Sequence, residues 1–156
     1  NESWERIKNN EENINGIKSK HILDKIETNI PSTLRSIKIQ KKAASLNFDW
    51  KNKTQVLSKV DEELTELKEA IHKNNKDNIE EELGDLFFTL LNLSRHLKLD
   101  PDQTIRKANN KFILRFNTME NILDEMNLKW HNLKYSDLEK LWSKAKLIHK
   151  EDNNEF

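Results

Sequence analysis

The chain has 156 residues, 35% of them Asp, Glu, Lys or Arg, with 27 acidic against 27 basic side chains and no cysteine. That length builds one domain of ordinary size with a core of its own, and the missing cysteine excludes disulfides, thiolate zinc sites and a cysteine nucleophile and fits a reducing cytoplasm. The even charge balance offers no basic field for long nucleic acid, and no apolar run approaches the roughly 18 residues of a membrane span.

Two glycines and two prolines leave few turns, and apolar residues recur at helical spacing nearly throughout. The spacing predicts an all-α antiparallel bundle of about five helices. Residues 1–28 read as a charged connector and 29–156 as the folded domain, and a start at Asn1 rather than Met fits a piece of a longer product. Pro31 opens a first helix near Ser32, with Leu34, Ile37 and Ala44 inward, and it ends before Asn47-Phe48-Asp49-Trp50. Phe48 and Trp50 there either wall a base pocket or plug the end of the bundle. A second helix runs from about Thr54 to Lys73 with an apolar stripe of Val60, Leu64, Leu67 and Ile71. After a polar turn at Asn74-Asn75-Lys76-Asp77, a third spans about 78–98 with Ile79, Leu83, Leu86, Leu90, Leu93 and Leu97 in line. Phe87, Phe88 and Leu91 make that helix apolar nearly all round, which predicts a central, buried element. One short bundle cannot cover so much apolar surface, so a homodimer is expected. Pro101 starts the fourth helix, with Ile105, Ala108, Phe112, Phe116, Met119 and Met126 recurring. Ser136 and Glu139 predict a capping box for the last, with Leu138, Leu141, Ala145 and Ile148 inward.

Chemistry concentrates on the second and third helices. Glu62-Glu63-Leu64-Thr65-Glu66 and Glu82-Leu83-Gly84-Asp85 set acids three apart on antiparallel neighbours, where they can converge on one point. Glu63 and Glu82 border the apolar stripes, with Glu66 and Asp85 further round. Two unit charges about 4 Å apart repel by roughly 4 kcal/mol at an effective dielectric near 20, so four clustered carboxylates need protons or a cation. Oxygen ligands in that number suit a hard divalent ion. A solvated acidic face has the same spacing, and both readings stand on spacing alone. On the fourth helix Lys107, Lys111 and Arg115 recur every four residues, which spacing favours as a solvated stripe and which can also line an anion. There is no Gly-rich loop to cradle phosphate. Trp142 and Lys146, four apart, can close over a ligand, or Trp142 can be core. A di-iron carboxylate site wants two Glu-x-x-His pairs, and only Glu69 with His72 fits.

Four separated stretches carry a resemblance: RSIKIQKKAASLNFDW at 35–50, EELGDLFF at 81–88, KANNKFILRF at 107–116 and WSKAK at 142–146, together with EExxE and ExxD. In order and spacing they resemble the MazG family of all-α nucleoside triphosphate pyrophosphohydrolases, most of all the C-terminal catalytic half of its two-domain bacterial members, over about residues 30–150. The resemblance implies that Glu63, Glu66, Glu82 and Asp85 hold Mg²⁺, with Mn²⁺ an alternative, and that Glu62 orients water or acts as general base. It implies nucleotide contacts from Asn109, Lys111, Arg115, Trp142 and Lys146, pairing into dimers, and hydrolysis of a triphosphate to monophosphate and pyrophosphate. The family also contains catalytically silent halves, so a silent helical dimerisation module is the alternative. Retention of all four acids with Lys111 and Arg115 argues against it.

Overall fold

The computed structural model describes the backbone of residues 21–152 and the side chains of residues 21–150. Among them stand five α-helices and no strand: α1 Ser32–Ala44, α2 Lys53–Lys73, α3 Lys76–His96, α4 Pro101–Glu125 and α5 Tyr135–Asp152, with 3-10 turns at Leu23–Lys25 and Trp130–Asn132. Most of the expected connector, residues 1–20, lies outside the described residues. Its last part is tied to α1, since the Glu27 carboxylate accepts from Lys38 Nζ at 2.8 Å and its carbonyl from Arg35 Nε at 3.1 Å.

Local chemistry explains the helix ends. Asn52 caps α2 by accepting from the Gln55 N–H at 3.0 Å, and Gln55 Oε1 in turn accepts from the Lys51 N–H at 2.9 Å. At the other end Asn74 takes the left-handed conformation, φ 53°, and stops the helix. Asn75 then caps α3 by accepting from the Asn78 N–H. The polar turn thus shrinks to two residues, and so short a link makes α2 and α3 antiparallel neighbours. Pro101 is the first residue of α4, where its missing N–H costs nothing. The capping box expected at Ser136 does not form, because α5 already begins at Tyr135 and places Ser136 inside the first turn. Asp137 does the work instead, accepting from the Lys134 N–H at 3.1 Å.

The described residues divide into two compact units, the first ending at Pro101 and the second beginning at Asp102. In the first, α3 packs along α2 and also touches α1, while Gln40 of α1 is buried and donates to the Phe88 carbonyl at 2.9 Å. The buried face of α2 is Val56, Glu63, Leu67 and Ala70. That face is rotated from the expected stripe: Leu67 is shared, but Leu64 and Ile71 are exposed. An apolar arc wider than one contact line lets the neighbouring helix choose which edge to cover, and α3 covers the Glu63 side. Nor is α3 buried in the single chain. Only its Thr89 and Asn92 are, whereas Leu83, Phe87, Phe88, Leu90 and Leu97 are exposed, Phe87 by 58%. It is central in touching two helices, and its outer apolar face has no cover within its own unit. Leu34 of α1, expected inward, is exposed as well.

In the second unit Met119, Ile122, Leu123 and Ala145 are buried, while Ile105, Ala108, Phe112, Phe116 and Met126, which recur with Met119 at helical spacing, are exposed. Phe116 stacks on Trp130 with centroids 4.8 Å apart, and Phe112 meets Trp142 at 5.1 Å.

Candidate functional site

Glu63, Glu66 and Glu82 come together. One carboxylate oxygen from each lies within 4.8 Å of the others, as the two-residue turn between α2 and α3 allows. Glu63 is only 4% exposed, Glu82 half-buried and Glu66 exposed. Glu63 Oε1 is 2.6 Å from Lys59 Nζ, while its buried Oε2 has no hydrogen-bond partner. Asp85 stands outside this trio, one turn along α3, yet its charge bears on Glu82. Glu62 is exposed and turned to Lys59 at 2.8 Å.

Electrostatics show the strain of the grouping. Desolvation, then the neighbouring Glu63 and Glu82 charges, raises the Glu66 carboxyl above its ordinary value. Desolvation, then Glu81, Asp85 and Glu63, does the same to Glu82. Lys59 pulls both back down. Its own ammonium is held well above the usual lysine range by hydrogen bonds to Glu62 and Glu63. Glu66 lies close enough to Glu63 to share a proton, which helps raise it. Three carboxylates that each bring an oxygen within 4.8 Å of the others, one of them buried with an oxygen lacking a partner, fit a hard divalent cation. Lys59 was not singled out by sequence reasoning, although its place three and four residues before the acids carried the signal.

A second polar network was also missed. Arg95 Nη2 donates to Asp49 Oδ1 and to Asn92 Oδ1, and His96 Nε2 lies 3.0 Å from Asp49 Oδ1. Burial opposes ionisation of Asp49, but these bonds and the Trp50 N–H hold its carboxyl below the ordinary value. The network ties the loop before α2 to the end of α3. On that loop Phe48 is 82% exposed and Trp50 exposed, so neither plugs the unit's core.

In the second unit Lys107, Asn109, Lys111 and Lys146 are exposed and Arg115 is half-buried. The Arg115 guanidinium sits 5.8 Å from the Trp142 ring centroid, a cation–π contact, and its Nε has no hydrogen-bond partner. Trp142 is half-buried, with Phe112 and Arg115 against its ring.

Residues 51–119 match the family model described as the MazG nucleotide pyrophosphohydrolase domain. The chain belongs to the MazG family. A Thermotoga maritima protein named nucleoside triphosphate pyrophosphohydrolase/pyrophosphatase MazG is 40% identical over 143 residues, covering 92% of this chain and 54% of that protein. An Escherichia coli K12 protein named nucleoside triphosphate pyrophosphohydrolase is 36% identical over 148 residues, with the same two shares of 92% and 54%. Bacillus subtilis YabN, named an uncharacterized protein, is 33% identical over 78 residues, half of this chain and 15% of its own length. The chain therefore spans about half the length of the two longer matches. The MazG segment contains both acid pairs, Lys59 and the Lys107 to Arg115 face, while Trp142 and Lys146 lie beyond it. Among the described residues, no MazG helix is long and apolar enough to cross a membrane.

Proposed function

We propose that this MazG chain hydrolyses nucleoside triphosphates to a monophosphate and pyrophosphate, acting as a cytoplasmic homodimer with Mg²⁺, or Mn²⁺, as cofactor. The observation that carries the reading is the trio of Glu63, Glu66 and Glu82 with the unpartnered Glu63 Oε2 in a buried setting. Glu63, Glu66 and Glu82 are the ligands, with Asp85 completing the set by its charge beside Glu82. The ion, when bound, neutralises phosphate oxygens and orients the anhydride. Water attacks a phosphorus of the α,β anhydride, the bond from that phosphorus to the bridging oxygen breaks, and the bridging oxygen leaves with the other product. Glu62 is the candidate to orient that water and take its proton. Lys111 and Arg115 carry the positive charge that the phosphate oxygens require, with Lys146 a further cation. Asn109 and Trp142 are the candidates for nucleoside contacts.

Dimerisation is supported by the uncovered face of Leu83, Phe87 and Leu90 on α3 and of Leu64 and Ile71 on α2. Gly84 lies on the same helix, and a Cβ there would meet nothing within 4 Å among the described residues. A glycine inside a helix costs about 1 kcal/mol relative to alanine, and no contact among the described residues requires it.

The test is product analysis of purified protein with each common nucleoside triphosphate, with Mg²⁺ and then with chelator. Monophosphate and pyrophosphate forming only with metal is the expected result. Diphosphate and orthophosphate would mean a different phosphohydrolase, and no turnover despite metal binding would mean a silent module.

A further inference from the structure

The acid cluster already holds a cation of its own. Lys59 Nζ lies 2.6 Å from Glu63 Oε1 and 2.8 Å from Glu62 Oε1, and it is 28% exposed along its side chain. Glu63, by contrast, is buried, and its second oxygen has no partner. Glu62 is more than half exposed, its side chain open by 57%. The ammonium therefore bridges one acid that belongs to the cluster and one that faces solvent.

We propose that Lys59 is the displaceable counter-cation of the Glu63, Glu66 and Glu82 cluster: a divalent ion takes Glu63 from it, Lys59 withdraws onto Glu62, and this competition sets the metal affinity of the site. The inference rests on the metal reading above and adds a residue to it. Without a metal, three ionised carboxylates with oxygens within 4.8 Å of one another repel, and one ammonium among them offsets much of that. When a dication arrives, the same ammonium becomes a like charge at close range. Both cations cannot keep full possession of a single buried carboxylate. Glu62 gives Lys59 somewhere to go at little cost, because the pair is already formed and can move outward with the long lysine stem. The cluster stays ordered between turnovers, and metal binding is weakened by the fraction of molecules in which Lys59 holds Glu63.

Calorimetric titration with Mn²⁺ of the wild type, Lys59→Met and Lys59→Arg tests this, alongside thermal melts without metal. Methionine keeps the stem and removes the charge. The expected result is that Lys59→Met binds Mn²⁺ at least about tenfold more tightly than wild type and melts a few degrees lower without metal, while Lys59→Arg binds like wild type. In the Lys59→Met background, Glu62→Gln should change metal affinity less than it does in the wild type, as a coupled pair requires. Equal or weaker Mn²⁺ binding by Lys59→Met overturns the competition and leaves Lys59 as a group that orients Glu63. A higher melt of Lys59→Met without metal overturns its role as counter-cation. Absence of Mn²⁺ binding in all three proteins overturns the metal reading itself, a result distinct from binding that the charge of residue 59 fails to alter.

Discussion

A buried carboxylate with one oxygen on an ammonium and the other on nothing, as in Glu63, is out of balance until a further positive charge arrives. Glu66 and Glu82 share that imbalance, and their raised carboxyl groups record it. Removing the charge from one ligand therefore relieves repulsion while weakening the cation seat. Glu66→Gln and Asp85→Asn are expected to lower pyrophosphate release by more than about a hundredfold and to leave the metal-free melt unchanged or higher. Release at the wild-type rate would remove that acid from the metal set. The pH dependence follows from the sign of the shift. Glu82 is raised above its ordinary 4.5, so the folded state holds its proton more tightly than the unfolded chain. The stability this gives is full below 4.5 and is lost as pH rises through the raised value. Glu82→Gln should accordingly melt higher than wild type at neutral pH without metal, and the advantage should vanish below the ordinary carboxylate value. Melts across pH check it, and an advantage that grows on acidification would contradict it. The residue types and their spacing were legible in the sequence. The 4.8 Å grouping of three acids was not, because it depends on the rotation of α2 against α3; Lys59, three and four residues before Glu62 and Glu63 on the same helix, was signalled by spacing and overlooked.

Helix α4 shows how a period can be right and a face ambiguous. Its spacing marks Phe112, Phe116 and Met119 as one side, yet only Met119 is fully buried and Phe112 stays exposed. Lys107, Lys111 and Arg115 mark another side, and Arg115 folds over Trp142 while Lys111 faces solvent. If Lys111 meets phosphate, Lys111→Ala weakens triphosphate binding by about tenfold at low salt, and the loss shrinks as ionic strength rises. Titration of a nonhydrolysable triphosphate at two salt concentrations reads this, and unchanged affinity would return Lys111 to the solvated stripe. Helix boundaries, by contrast, were readable to within about two residues because Pro31, Asn74-Asn75 and Asp100-Pro101 act through local backbone chemistry. The exception is the start of α5, where Asp137 rather than the Ser136 and Glu139 pair serves the first turn.

At the scale of the molecule, the exposed face of Leu83, Phe87 and Leu90 departs from the expected burial of that helix. A homodimer in which this face meets its copy is the proposal, and wild type is expected to sediment as a dimer. Phe87→Lys should sediment as a monomer with its helical signal kept, whereas a Phe87→Lys dimer would place the interface elsewhere. The sequence by itself determined the all-helical class, the helix ends, the family and the acid and base pairs, since each rests on residue type and short-range spacing, which the chain carries wherever it folds. Tertiary structure alone decided which edge of each apolar arc is covered, that Glu82 joins Glu63 and Glu66, and that Asp49, Asn92, Arg95 and His96 form one network. These depend on angles between elements distant in sequence, where a rotation of a few tens of degrees exchanges the buried side chain for its neighbour and leaves the pattern of residues unchanged.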